Sequence, residues 1–129
     1  MTLRFLALVL TAALVAPSAP AEGRTYDRAD KPRHDLTVAG KEIGGDTNRF
    51  KLYGRVPTYP GKDLRIERKV NSQSFKPWST DTTSADTGRF SIRVYGGKRG
   101  STICYRVVVP STPEFRTTRG DRWCIRTAS

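Results

Sequence analysis

The sequence predicts an all-β protein, built as an antiparallel β-sandwich of about seven short strands. Two observations support this prediction. Every convincing hydrophobic pattern in the chain has a period of two, and clusters of Gly, Pro, Asn, Asp and Ser separate one pattern from the next. No segment shows a helical period. Short alternating segments at regular spacing, with turn residues between them, are typical of sandwiches and barrels.

The alternating segments give the predicted strands in order. The first begins at Leu36 and Val38 and is halted by Gly40. The second runs from Phe50 to Val56, and Pro57 ends it because proline has no N–H for a ladder hydrogen bond. The other five are predicted near residues 64–70, 75–83, 90–95, 103–109 and 123–125.

Residues 1–21 have the features of a cleavable secretory signal peptide. Arg4 is the only charge, an apolar run extends from Phe5 to Val15, and small residues follow at Ala19-Pro20-Ala21. The run is shorter than the ~20 residues that cross a bilayer, so we expect export without a transmembrane anchor. Residues 22–33 are charged and nearly free of large apolar side chains, which predicts a flexible arm. Residues 34–129 are then the sandwich domain.

The chain is strongly basic. Its 129 residues carry a formal net charge of +11, and loss of residues 1–21 removes one basic and no acidic residue, leaving +10. The remaining length is that of one domain. Such a charge favours anionic partners and opposes self-association, so we expect a monomer that binds nucleic acid only non-specifically.

The two cysteines, Cys104 and Cys124, fall on the last two predicted strands. Two cysteines in an exported chain most simply form one disulfide, which here would join the C-terminal hairpin. Two free or intermolecular thiols are the alternative.

No catalytic, cofactor-binding or metal-binding set is predicted. His34 is the only histidine, and its position beside the predicted arm leads us to expect a solvated side chain, which leaves a catalytic triad without its base. Asp81 and Asp86, with nearby threonines, have the oxygen ligands that calcium prefers, but polar turns have the same composition. We therefore expect a protein that is not an enzyme.

Four segments carry a family resemblance. They are F-K-L-Y-G-R-V at Phe50–Val56, G-K-D-L-R-I-E-R at Gly61–Arg68, Gly88-Arg89-Phe90, and C-Y-R-V-V-V-P at Cys104–Pro110. These segments resemble small immunoglobulin-like or fibronectin-III-like modules of secreted actinobacterial proteins. The resemblance covers about half of the chain and departs from the family pattern at residues 86–88 and 111–122. It implies an immunoglobulin-like sandwich with a binding, spacing or adhesion role, and no catalytic residue.

Side chains alternate across a strand, so the residues between the apolar positions should point outward. If several strands share a sheet, that exposed face carries arginines interleaved with tyrosines. Arginine pairs with phosphate through two parallel hydrogen bonds, and this predicts an anionic cell-wall polymer as the partner. A merely solubilising surface is the alternative. The candidate polyanion-binding residues are Lys51, Tyr53, Arg55, Arg65, Arg89, Arg93, Tyr95, Arg106 and Arg126.

Two further functions stay open. A secreted basic nuclease could use Glu67 as its base beside Arg65 and Arg93, but it lacks an acid unless His34 folds back onto the sheet. A protease inhibitor could use the stapled loop at residues 111–122 as a rigid wedge. The same loop contains Arg119-Gly120-Asp121, an integrin-type tripeptide that also occurs often by chance.

Overall fold

The computed structural model describes residues 31–45 and 47–129, which form eight β-strands and, within these ranges, no helix. The predicted signal peptide and residues 22–30 of the predicted arm lie outside the described residues. Over the part of the chain that is described, no helix is long and apolar enough to span a membrane. The strands are β1 (Thr37–Glu42), β2 (Arg49–Arg55), β3 (Asp63–Val70), β4 (Lys76–Thr82), β5 (Arg89–Tyr95), β6 (Thr102–Val109), β7 (Thr118–Arg119) and β8 (Trp123–Arg126).

The strands form two antiparallel sheets. The first has three strands in the order β1-β2-β5. The second has the order β4-β3-β6, and β7 and β8 pair with the same edge of β6 at opposite ends of that strand. This arrangement confirms the predicted all-β sandwich, with β7 as a strand that the sequence did not predict.

The core lies between the two sheets, where the alternating apolar residues of both meet. The Tyr105 side chain is fully buried, and its hydroxyl donates to the Tyr95 carbonyl at 2.7 Å while accepting from the Tyr95 N–H at 3.2 Å. One side chain of β6 thus fixes the end of β5 in the opposite sheet. The main core residues are Leu52, Phe90 and Val94 from the first sheet and Leu64, Ile66, Tyr105, Val107 and Val109 from the second.

Strand β1 continues through Gly40, where the sequence predicted its end. A Cβ atom at Gly40 would overlap the indole of Trp123, so the absence of a side chain makes room for that ring and does not mark a turn. At the other side of the molecule, β4 contains Pro77 opposite Glu67, and the β3–β4 register shifts between Ile66 and Glu67. The local irregularity accommodates a residue that cannot donate a ladder hydrogen bond.

The predicted disulfide joins Cys104 and Cys124, which lie directly opposite each other on β6 and β8 with their Cα atoms 4.0 Å apart. It closes the C-terminal hairpin, and the chain between the two cysteines includes β7.

The segment before β1 is hydrogen-bonded to the loop after β6. The Arg116 N–H donates to the Pro32 carbonyl at 2.9 Å, the Lys31 ammonium to Thr112 O at 3.1 Å, and the Arg33 guanidinium to Arg119 O at 3.2 Å. Residues 31–33, the last part of the predicted arm, therefore lie against this loop.

Candidate polyanion-binding face

The outward side of the β1-β2-β5 sheet is a cationic surface, which we call the basic face. Leu52, Phe90 and Val94 point into the core, so the residues that alternate with them point to solvent. The face carries six cations and two tyrosines among small residues. Its members are Thr37, Ala39, Lys41, Arg49, Lys51, Tyr53, Arg55, Arg89, Ser91, Arg93 and Tyr95.

The strand register sorts these residues into rows that cross the sheet. Lys41, Lys51 and Arg93 are direct neighbours on the three strands, and together they form a row of three positive charges. A second cationic row places Arg55 opposite Arg89, with Thr37 beside them on β1. Between these two rows lies an uncharged row, which consists of Ala39, Tyr53 and Ser91.

No carboxylate among the described residues forms an ion pair with the cations of the basic face. Within the described ranges, both ion pairs of 4 Å or less are made by Glu67, which lies on β3 in the other sheet. Like charges directly opposite on neighbouring strands destabilise a sheet. The cationic rows are therefore expected to lower the free energy of unfolding slightly, so a contribution to fold stability does not explain them.

Tyr53 lies at the centre of the basic face. The ammonium groups of Lys41 and Lys51 lie 5.9 and 5.7 Å from the centre of its ring, which is the range of a cation–π contact. Tyr95 lies at the far end of the face and is 44% exposed, so its ring is available to solvent. Both rings offer flat surfaces within the cationic field.

A groove of about 730 Å³ follows the uncharged row across the sheet. The side chains of Arg55 and Arg89 line one side, and Lys41 and Lys51 line the other. At the β5 edge the groove ends against residues 81–84, where Asp81 accepts a hydrogen bond from the Ser91 N–H at 3.1 Å. This geometry suits an extended ligand that combines negative charges with uncharged units.

The structure divides the nine sequence-predicted residues between two faces. Six of them, on β2 and β5, come together on the basic face. The predicted set omitted Lys41, which belongs to the row of three positive charges, and Arg49, which lies opposite Tyr95 on β5. Thr37, Ala39 and Lys41 are alternate positions of β1 and point to the same side, so the period of two continued past Gly40 would have predicted Lys41. The six are Lys51, Tyr53, Arg55, Arg89, Arg93 and Tyr95.

The other three predicted residues, Arg65, Arg106 and Arg126, lie on the opposite sheet. Arg106 donates to Glu67 at 2.7 Å, and its guanidinium lies 4.1 Å from the centre of the Phe75 ring. Arg65 approaches the same carboxylate at 3.9 Å. Arg106 is thus held in a partly buried structural contact and is less available to an anionic ligand than the arginines of the basic face.

Only Glu67 and Arg65 of the nuclease alternative lie together, and the other components do not join them. Glu67 is buried and is held by Arg106, whereas Arg93 points outward from the other sheet. His34 does not reach either residue, because its ring nitrogens contact Thr58 and Pro110.

His34 is buried, so the expectation of a solvated histidine was wrong. Nε2 lies 2.9 Å from the carbonyl of Pro110, and Nδ1 lies 2.7 Å from the hydroxyl of Thr58. The ring also stacks on Phe115 with the ring centres 5.0 Å apart. The sequence could not predict this burial, because the residues that surround the ring, Thr58, Pro110 and Phe115, are distant from His34 in sequence.

The loop at residues 111–122 is tied down at several points. Thr112 N–H donates to the Phe115 carbonyl at 2.8 Å, and β7 pairs with β6. Arg119 belongs to β7, and the Gly120 N–H donates to Val107 O at 2.9 Å, so the tripeptide lies along the sheet edge and not at a loop tip. Among the described residues no group of three or more His, Cys, Asp or Glu side chains could hold a metal ion.

The sequence matches no protein-family model and no curated protein. Among solved structures, the chain is similar to one described as the crystal structure of a Br derivative of BhCBM56. The TM-score is 0.48 at 14% sequence identity, over 73% of this chain and 94% of that chain.

Proposed function

We propose that this protein is an exported, non-enzymatic binding module whose basic face holds an anionic polymer of the cell envelope. The observation that carries the proposal is the row formed by Lys41, Lys51 and Arg93. Three like charges lie side by side on three strands, with no ion-pairing carboxylate among the described residues. An anionic ligand would relieve the repulsion that this row creates.

The chemistry of the face supports a polymer rather than a single small anion. Cations extend over the full length of β2, from Arg49 to Arg55. A surface of one sign attracts a polyanion at long range and speeds its encounter at low salt. Four of the six cations are arginines, whose planar guanidinium matches phosphate oxygens in pairs.

Export places the basic face where such polymers occur. The features of residues 1–21 are those of a signal peptide, and the Cys104–Cys124 bond is typical of oxidising compartments. Outside a bacterial cell, wall polymers linked by phosphate are abundant polyanions.

The strand order supports a relation to the immunoglobulin-like modules that the sequence motifs resemble. Strands β1, β2 and β5 form one sheet, while β3, β4, β6 and the last strands form the other. Two facing antiparallel sheets that share consecutive strands between them are compatible with that class, as with other β-sandwiches. We assign the chain to binding modules of this kind and not to enzymes, since Glu67 and His34 are both held in structural contacts.

The test is binding of the mature protein to isolated cell walls at low and at moderate salt. We expect binding that falls steeply with salt, because each neutralised phosphate adds ~0.7 to 0.9 to the slope of log affinity against log salt. The variant Arg89→Ala/Arg93→Ala should bind more weakly and show a shallower slope.

The matched control is Arg122→Ala/Arg126→Ala, which removes the same charge from exposed positions outside the basic face. It should keep most of the binding. Equal losses in the two double variants would mean that only net charge matters, and no binding at either salt would overturn the proposal.

A further inference from the structure

We infer that the basic face binds a single-chain phosphodiester polymer of sugar or polyol units, which lies in the groove across the strands. Its uncharged units cover Tyr53, and its phosphates contact the cationic rows on both sides. The inference rests on the proposed function and deepens it, because it names the class of polymer that the same face selects.

The shape of the groove favours a single chain. Its floor is the row of Ala39, Tyr53 and Ser91, in which two small side chains flank one aromatic ring. Its sides are the Arg55–Arg89 row and the Lys41–Lys51 pair, and Arg93 extends that pair beyond the groove. Arg55 lies four residues after Lys51 on β2, which corresponds to about 13 Å along the strand. One polymer chain can contact both sides at once, whereas a double helix is too wide to reach the floor.

The Arg55–Arg89 pair favours phosphate as the anionic group. The two residues lie directly opposite each other on β2 and β5, so two guanidinium groups are presented by adjacent backbones. Each group offers parallel N–H donors, and a phosphodiester has two free oxygens to accept them. Lysines supply charge at the other side of the groove without this directionality.

The groove also contains groups that suit hydroxyls. Thr37 and Ser91 expose hydroxyl side chains, and the Asp81 carboxylate stands at the β5 end. A carboxylate accepts hydrogen bonds from sugar or polyol hydroxyls, but it repels a chain such as polyphosphate, in which no neutral hydroxylated unit separates one charged group from the next. Such a repulsive element is a common source of specificity. The groove therefore favours phosphates that alternate with neutral hydroxylated units.

The experiment measures the affinity of the mature protein for three polymers at equal phosphate concentration. The probes are poly(glycerol phosphate), inorganic polyphosphate and duplex DNA. We expect poly(glycerol phosphate) to bind about tenfold more tightly than either of the others, which is the effect of one good contact. Dextran sulfate, as a further competitor, distinguishes phosphodiester recognition from recognition of any anionic polysaccharide and should compete poorly.

Two variants locate the selectivity in the groove. Ala39→Phe fills the floor without a change of charge and should weaken poly(glycerol phosphate) binding about tenfold, with little effect on duplex DNA. Thr80→Phe, at an exposed position opposite Arg65 on the other sheet, is its matched control. Asp81→Asn can still accept the Ser91 hydrogen bond and should improve polyphosphate binding more than poly(glycerol phosphate) binding.

The outcomes separate the inference from the proposed function. Equal affinity for all the polymers, or an unchanged preference in both Ala39→Phe and Asp81→Asn, would overturn the inference and leave a general polyanion-binding module. Absence of binding to every polymer would overturn the proposed function as well.

Discussion

Separate parts of the chain meet at the imidazole of His34. Nε2 must donate to the Pro110 carbonyl, so in the neutral ring Nδ1 accepts from the Thr58 hydroxyl. The His34 N–H donates to the Thr118 hydroxyl at 2.8 Å. Burial lowers the pKa of His34 below its ordinary value of 6.5, and the Lys62 charge adds to this effect, while the Pro110 carbonyl opposes it. The folded protein thus favours the neutral ring.

This environment predicts that His34 makes the free energy of unfolding depend on pH. The unfolded chain takes up a proton at His34 near pH 6.5, whereas the folded chain resists it until lower pH. The contribution of His34 to the free energy of unfolding is therefore complete above pH 6.5 and declines as the pH falls through the folded-state pKa. Each pKa unit of depression corresponds to ~1.4 kcal/mol.

Thermal unfolding between pH 8 and pH 5 measures the effect. The matched variant is His34→Gln, which has a donor and an acceptor but does not titrate in this range. We expect the melting temperature of the wild type to fall over this interval more than that of the variant. Parallel curves for the two proteins would show that His34 does not titrate differently on folding.

Single residues also show how far alternation alone can locate a binding surface. It placed Lys51, Arg55 and Arg93 outward because their neighbours are strongly apolar. Alternation could not place Lys41, because Gly40 is a typical strand end. In the structure, the Trp123 ring fills the space beside Gly40 and β1 continues past it. Alternation also could not show that Arg106 is paired with Glu67, because that contact depends on the β3–β6 register.

The disulfide joins strand β6 to strand β8, and the chain between the two cysteines contains β7. The two cysteines are 20 residues apart in sequence, so the bond removes loop entropy from the unfolded chain. In the chain-entropy model, the double variant Cys104→Ala/Cys124→Ala should lose ~3 kcal/mol of the free energy of unfolding. Both cysteines lie on the sheet opposite the basic face, so polyanion binding should be retained while the variant stays folded.

Chemical denaturation with and without a reductant measures this loss. Reduction should lower the stability of the wild type to that of the double variant and should leave the variant unchanged. A wild type whose stability is insensitive to complete reduction would contradict the expectation, and loss of polyanion binding in the folded variant would show that the two sheets are coupled.

The elements themselves were predictable to different degrees. Strands β2, β5 and β6 follow clear alternation and were located within a residue or two. Strand β7 was not predicted because two residues, Thr118 and Arg119, cannot show a period, and they become a strand only by pairing with Val109 and Val108. The division of strands between sheets likewise depends on long-range pairing that no local pattern contains.

For the whole molecule, the net charge was known from composition, but its distribution was not. The formal charge of +11 is compatible with a uniformly basic surface. The structure gathers six of the cations on the outward side of one sheet, where no described carboxylate forms an ion pair with them, and places both ion pairs of the described residues at Glu67 on the other sheet. This local concentration of positive charge, rather than the net charge, is the basis of the proposal about binding.

The interrupted edges of the sandwich have a consequence for self-assembly. An unpaired strand edge is a template on which further chains can add and polymerise. In the second sheet, β4 carries Pro77 and a register shift, and the opposite edge is split into two short strands. In the first sheet, the Asp81 carboxylate accepts the hydrogen bond of the Ser91 N–H on β5, and the edge strand β1 carries the charged side chain of Lys41, which opposes the addition of a second chain. We therefore expect sedimentation that is independent of concentration and no fibril formation on prolonged incubation. A stable dimer would show that one of these guarded edges still admits a neighbour.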